Sequence, residues 1–272
     1  MKKILCPTDF SEAADQAVAY SAKLCKKIGA ELTLFNVQSI FSLPPAEVIK
    51  GKFLATEPIS ERLEEQCYKV MDIFKIACLS EVKPSNKRLS DSIADRAKDF
   101  DLIVMGTNGA DDYHQFFFGT NSYQVIRASS VPVLLIPQGC GFQDISTIVF
   151  AYDYEHENKL PIEQLTQWAK LIGAKVEVTV LQVKEHYTRD AELRSKAIQE
   201  SSQIHATTID VNFDTIYSDE VISSINSYVL RNEADALALC SVNPSIIQTL
   251  FHKSVIKELS AIVNYPLFVF HA

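Results

Sequence analysis

Long hydrophobic runs and runs of basic residues are both missing from this sequence. No stretch approaches the roughly 20 consecutive apolar residues that a membrane-spanning helix needs. Near the N-terminus, Pro7 and Asp9 interrupt the apolar residues before a signal peptide can form, so we expect a cytoplasmic protein without a membrane partner. The formal net charge of −8 argues against a nucleic-acid partner, because phosphate binding needs clustered Lys and Arg.

The residue spacings of metal centres and of nucleophilic enzymes are missing too. The six cysteines contain no CxxC pair and lie singly in or beside apolar segments, which favours buried free thiols. The six histidines show no metal-ligand spacing, and no Ser or Cys lies in a motif such as GxSxG. We therefore assign no catalytic residue and no metal ligand, and a non-enzymatic function is favoured.

An internal repeat divides the chain. Three pairs of segments are similar between the two halves: 4–10 and 148–154, 99–106 and 233–240, 131–137 and 265–271. The second and third pairs have the same separation of 134 residues (240 − 106 and 266 − 132). With the Pro/Gly-containing stretch "PQGCGFQD" between the copies, this pattern predicts two domains of one design, residues 1–138 and 144–272.

Each copy alternates short apolar runs with helical patterns. In the first copy the runs have the composition of strands buried on both faces: 4–6, 32–37, 102–105 and 133–136. The third strand is the weakest assignment, because "VKPSNKRLS" (82–90) is polar and contains a proline. The alternation predicts an α/β protein of two tandem Rossmann-like domains, each an open five-stranded parallel sheet with helices on both faces.

Glycine is scarce, and three of the eight glycines lie between Gly106 and Gly119. The spacing Gly106-x2-Gly109-x9-Gly119-Thr120 follows a buried strand and leads into a helical pattern with Thr120 as its expected N-cap. Backbone N–H groups of such a loop and of the helix N-terminus can converge on phosphate oxygens. Each of two glycines, considered alone, also has a purely structural alternative. For Gly106 it is a tight turn of the chain at the end of the strand, and for Gly119 it is a turn before the helix.

This glycine spacing resembles the fingerprint G-x2-G-x9-G-[S/T] of the nucleotide-binding branch of the universal stress proteins. The stretch "PTDFSE" (7–12) is similar to the opening of that family, and the resemblance covers residues 1–138. It implies a tandem universal stress protein with the adenine nucleotide alpha hydrolase-like fold. The implied function is regulation in the stress response through binding of ATP or AMP, with Mg or Mn as a possible companion ion.

The resemblance also implies roles for individual residues. Asp9 would contact the adenosine moiety, and Val37 would offer backbone groups to adenine. The nucleoside would be lined by Pro7, Thr8 and Met105. The phosphates would be held by Gly106, Gly109, Gly119, Thr120 and Asn121.

Alternatives remain open for several of these residues. Asp9 with Glu12 fits a helix capping box, a purely structural role. Asp111 and Asp112 bring negative charge into the glycine loop, which disfavours a polyphosphate unless a divalent cation or solvent intervenes. One rival function is therefore a slow metal-dependent ATPase or phosphotransferase that uses this pair. Another is a scaffold that binds no nucleotide and presents Phe116–Phe118 to a partner.

The second copy departs from the glycine pattern. At the 134-residue offset the four motif positions become Cys240, Asn243, Lys253 and Ser254. We therefore interpret residues 144–272 as a degenerate domain that supports assembly rather than binding. The last strand of each copy is apolar, and in the family this strand pairs with its counterpart. This implies an intrachain pseudo-dimer and, as a further possibility, a homodimer.

Overall fold

The computed structural model describes residues 2–39, 57–107, 120–151, 167, 177–184, 210–241 and 263–271. The chain separates into two compact units, Met1–Phe142 and Gln143–Ala272. No helix in the described part of the chain is long and apolar enough to cross a membrane.

The first unit alternates strands and helices along the chain: β1 (Lys3–Pro7), α1 (Glu12–Ile28), β2 (Glu31–Ser39), α2 (Glu57–Phe74), β3 (Cys78–Ser85), α3 (Leu89–Ala97), β4 (Leu102–Thr107), α4 (Thr120–Ala128) and β5 (Val133–Pro137). The strand order is β3-β2-β1-β4-β5, and every neighbouring pair is parallel. The direction of strand addition reverses between β1 and β4. Right-handed crossovers therefore place α1 and α2 on one face and α3 and α4 on the other.

The second unit repeats this plan. Its described elements are β6 (Thr147–Ala151), β7 (Glu177–Lys184), β8 (Asp210–Tyr217), α5 (Val221–Arg231), β9 (Ala236–Ser241) and β10 (Leu267–His271). The strand order is β10-β9-β6-β7-β8, again parallel throughout. The predicted α/β class, with a five-stranded parallel sheet in each half, is confirmed.

The aspartate repeated in both copies has a structural role in each unit. Asp101 Oδ2 accepts the backbone N–H of Lys3 at 2.8 Å. Asp235 Oδ2 accepts the backbone N–H groups of Ser146 at 2.7 Å and Thr147 at 2.9 Å, and also the Thr147 hydroxyl at 3.1 Å. Each carboxylate therefore ties the start of the first strand of its unit to the start of the neighbouring strand.

Helix α1 is capped at both ends. Its N-cap is Ser11, whose hydroxyl accepts the backbone N–H of Ala14 at 3.3 Å. Its C-cap is Gly29 at φ 67°, a left-handed conformation that glycine adopts without strain. One face of the helix is buried and includes Ala14, Ala17, Val18, Ser21, Ala22, Leu24 and Cys25.

The third strand was placed too late in the chain by the sequence prediction. Strand β3 is Cys78–Ser85, and helix α3 already begins at Leu89. The strand is polar because it lies at the edge of the described first sheet, paired with β2 alone, so much of its surface stays exposed. Pro84 is tolerated at such an edge, since one row of backbone N–H groups has no ladder partner to lose.

The predicted buried thiols are confirmed for five of the six cysteines: Cys6, Cys25, Cys67, Cys78 and Cys140. Burial raises the pKa of Cys6 to about 12 and that of Cys140 to about 11, because the apolar interior disfavours the thiolate. These thiols belong to the core. The side chain of Cys240 lies outside the described residues.

Candidate functional site

A cavity of about 340 Å³ lies at the carboxyl edge of the first sheet, beside the point where strand order reverses. Open parallel sheets place their ligands at this position. Seven of the ten sequence-predicted binding residues line it: Pro7, Thr8, Asp9, Val37, Met105, Gly106 and Asn121. They come from the ends of β1, β2 and β4 and from the first turn of α4, so the fold brings together residues that are far apart in sequence.

The other three predicted residues belong to the glycine loop. Gly109 and Gly119 lie outside the described residues, as do Asp111, Asp112 and Phe116–Phe118 of the alternative interpretations. Thr120 is the first residue of α4 rather than the residue before it, so its predicted N-cap position is shifted by one.

The turn between β1 and α1 is held by its own side chains. Thr8 Oγ1 accepts the N–H of Phe10 at 3.1 Å, and Asp9 Oδ1 accepts the N–H of Ser11 at 3.0 Å. Between these bonds Phe10 adopts φ 64°, a conformation that residues with a Cβ rarely occupy. The guanidinium carbon of Arg62 lies 4.3 Å from the centre of the Phe10 ring. The turn thus has a defined shape before any ligand arrives.

Asp9 does not cap helix α1, because Ser11 fills that position. The capping-box alternative is therefore wrong. Asp9 is exposed at the cavity, and only its Oδ1 atom has a partner among the described residues. Its Oδ2 atom is available to a ligand. Asp9 is also the one charged side chain among the described residues that line the cavity.

Asn36 contributes to the cavity although the sequence analysis did not select it. Its Nδ2 atom donates to the backbone carbonyl of Thr8 at 2.8 Å, and the side chain is 8% exposed. Because only the amide nitrogen can donate, this bond fixes the orientation of the side chain and leaves Oδ1 as an acceptor. The signal in the sequence was a polar residue inside the apolar run of β2, next to Val37.

Gly106 is required by packing between α1 and β4. A Cβ atom at this position would lie 2.0 Å from the carbonyl oxygen of Ala13 and 2.4 Å from its carbonyl carbon. The obstacle is backbone, which cannot rotate away. Gly106 therefore allows the N-terminal turn of α1 to approach the end of β4, and this approach forms one wall of the cavity.

Thr107 is a second lining residue that the sequence analysis missed. It is 2% exposed, and its Oγ1 atom is buried without a hydrogen-bond partner among the described residues. Buried hydroxyls are normally bonded, since an unpaired one has lost its contacts with water. The nearby lining also includes Asn121 and the buried Ser122 from the first turn of α4, where free backbone N–H groups favour an anion.

The sequence model of the universal stress protein family matches residues 1–137. The chain belongs to this family. Universal stress protein Slr1230 of Synechocystis is 28% identical over 175 residues, which are 56% of this chain and 60% of that relative. Universal stress protein MJ0531 of Methanocaldococcus jannaschii is 31% identical over 144 residues, which are 50% of this chain and 81% of that relative.

A solved structure extends the likeness to both halves of the chain. A universal stress protein from Archaeoglobus fulgidus superposes with a TM-score of 0.72 and covers 99% of this chain and 98% of its own. At 18% identity this match shows the fold alone. The fold of this chain, over nearly its whole length, is therefore shared with a solved member of the family.

The described residues contain no group of three or more His, Cys, Asp or Glu side chains arranged to hold a metal ion. What the described site offers is one carboxylate, two amides and several hydroxyls around a helix N-terminus. Such groups suit a ligand that carries both hydroxyls and an anion.

Proposed function

We propose that the first unit binds an adenine nucleotide in the cavity at the carboxyl edge of its sheet and acts as a regulatory domain. The observation that carries the proposal is the convergence of seven residues that the family resemblance assigns to a nucleotide. They come from four separate elements of the chain and line one cavity. Its volume of about 340 Å³ falls within the usual range for small-molecule sites.

The chemistry of the lining supports a nucleotide with its sugar near Asp9. A carboxylate accepts hydrogen bonds from the hydroxyls of ribose, and Asp9 Oδ2 is available to do so. The turn that carries Asp9 is held in shape by Thr8, so little ordering is needed on binding. The first turn of α4 would receive the phosphate, because its free N–H groups and dipole favour an anion.

ATP and AMP are both candidates, with Mg or Mn as a companion ion of ATP. The choice depends on the glycine loop with Asp111 and Asp112. The ATPase alternative depends on the same pair, and no observation on the described residues favours it. We therefore propose binding and regulation in the stress response rather than turnover.

The second unit is proposed to be a partner domain without a nucleotide. Cys240 occupies in β9 the position that Gly106 occupies in β4. Each is the next-to-last residue of its strand, and the two are 134 positions apart (240 − 106). A Cβ at this position excludes a helix approach as close as that of Ala13 to Gly106. Support of an intrachain pseudo-dimer, and of a homodimer, is the role we propose for this unit in a cytoplasmic protein.

Calorimetric titration of the full chain with AMP, and with ATP plus magnesium, tests the proposal. We expect one site per chain. Asp9→Asn keeps the Ser11 hydrogen bond but removes the charge, so we expect affinity to fall about tenfold or more. Asp219→Asn makes the same change at an exposed position in the other unit and is expected to bind as wild type.

Two results would contradict the proposal. A stoichiometry of two nucleotides per chain would show that the second unit binds as well. No binding of either nucleotide would remove the nucleotide function altogether and bring the scaffold alternative to the front. Gly109→Val changes the glycine motif and leaves Asp9 in place. Comparing its nucleotide affinity with that of Asp9→Asn distinguishes the contribution of the loop from that of the Asp9 contact.

A further inference from the structure

Thr107 combines features that a structural role does not explain. Its backbone is fixed, because its carbonyl accepts the N–H of Gln138 at 2.9 Å and its position in β4 pairs with Pro137 in β5. Its hydroxyl nevertheless has no partner among the described residues. A serine or threonine hydroxyl can both donate and accept, so burying one without a bond forfeits two opportunities at once. A valine of the same shape would avoid that loss.

The position of Thr107 indicates which ligand group would form a hydrogen bond with its hydroxyl. It lines the same cavity as Asn121 and Ser122, which are the second and third residues of α4. The free N–H groups of this first turn form the part of the described lining best suited to an anion. Rotation about χ1 moves the hydroxyl of Thr107 among three staggered positions around Cβ, so the oxygen is not confined to one direction while the backbone stays fixed.

We infer that the Thr107 hydroxyl donates a hydrogen bond to a phosphate oxygen of the bound nucleotide. The inference rests on the proposed function of the cavity and adds a binding residue to it. Without ligand the hydroxyl has no partner in the described part of the chain, which lowers stability, and with ligand it becomes a charge-assisted contact. The Thr107 hydroxyl therefore lowers the stability of the ligand-free protein and raises its affinity for the nucleotide.

The inference predicts opposite effects of one substitution on ligand-free stability and on nucleotide affinity. Thr107→Val removes the unpaired hydroxyl and keeps the shape, so the melting temperature without ligand is expected to stay equal or rise. The same change is expected to weaken AMP and ATP binding about tenfold, the usual effect of losing a hydrogen bond to a charged group. Adenosine lacks the phosphate, so its affinity is expected to be unchanged. Thr107→Ser keeps the hydroxyl and is expected to retain AMP affinity.

Thr147→Val is the matched control. The Thr147 hydroxyl is bonded to Asp235 at 3.1 Å and belongs to the other unit. Removing it is expected to lower the melting temperature and to leave nucleotide affinity unchanged. The comparison uses the full chain throughout, with thermal melts of the ligand-free proteins and calorimetric titrations with AMP, ATP and adenosine.

Several outcomes would overturn the inference while the proposed function survives. Wild-type AMP affinity in Thr107→Val would show that the hydroxyl makes no contact. Equal weakening of AMP and adenosine would place the contact away from the phosphate. A ligand-free melting temperature lowered as much as in Thr147→Val would show an internal partner. If the wild-type chain binds neither AMP nor ATP, the nucleotide site itself is refuted, and this inference with it.

Discussion

Replacing Gly106 with alanine should separate helix α1 from strand β4. The added Cβ would lie 2.0 Å from the carbonyl oxygen of Ala13, so the helix must move by about 1 Å or more to restore ordinary contact. Overpacking a core by one carbon costs roughly 1–3 kcal/mol, and we expect the upper end here. Trimming Ala13 to glycine cannot relieve the clash, because the obstacle is its backbone.

Scanning calorimetry of the full chain measures the effect. A loss of about 3 kcal/mol corresponds to a fall of about 6–12 °C in the unfolding transition of the first unit. Gly141→Ala is the control, since nothing lies within 4 Å of the added carbon, and its melting temperature should not fall. If Gly106→Ala melts at the wild-type temperature, the close approach of α1 to β4 does not limit stability and the packing argument fails.

Three further changes test other parts of the molecule. Ser11→Ala should lower the unfolding free energy of the first unit by about 1 kcal/mol through loss of the N-cap, measured by urea titration; no change would mean that the cap is dispensable. Asp235→Ala should cost more than Asp101→Ala, roughly 2–3 against 1 kcal/mol, because Asp235 accepts three hydrogen bonds and Asp101 one; equal losses would contradict this. Burial raises the pKa values of Cys6 and Cys25 to about 12, so these thiols stay protonated in the folded chain while they ionise near pH 9 in the unfolded one. Stability should then fall as pH rises from 9 towards 12, by up to about 1.4 kcal/mol per pH unit for each thiol, and a double alanine variant should show a shallower slope in melts at successive pH values.

The order of elements was predictable from the sequence because strands buried on both faces read as apolar runs. Edge strand β3 (Cys78–Ser85) escaped this rule, since a strand with one neighbour does not need apolar residues throughout. The cavity was predictable because Asp9 follows β1 and Gly106 lies near the end of β4, and the carboxyl ends of these two strands meet at one edge.

Contacts formed across the fold were not predictable in the same way. The clash that makes Gly106 necessary involves Ala13, which is more than ninety positions away, so no local pattern announces it. The orientation of Asn36 depends on the carbonyl of Thr8, in the turn that follows the neighbouring strand β1. Whether the Thr107 hydroxyl finds a partner depends on all the elements around it, and those that the structure describes supply none. Periodicity and motif spacing carry no information of these kinds.

The repeated aspartates and the unrepeated glycine carry an evolutionary consequence. Asp101 and Asp235 occupy matching positions in the two halves. Each carboxylate joins the starts of two neighbouring strands, β1 and β4 in the first unit and β6 and β9 in the second. Gly106 has no counterpart, since Cys240 occupies its place. After a duplication, selection for folding acts on both copies, but the packing contacts that each copy uses can diverge. The carboxylate that joins neighbouring strands is present in both halves, whereas the glycine that lets α1 approach β4 stands in the first half and a cysteine stands at its position in the second.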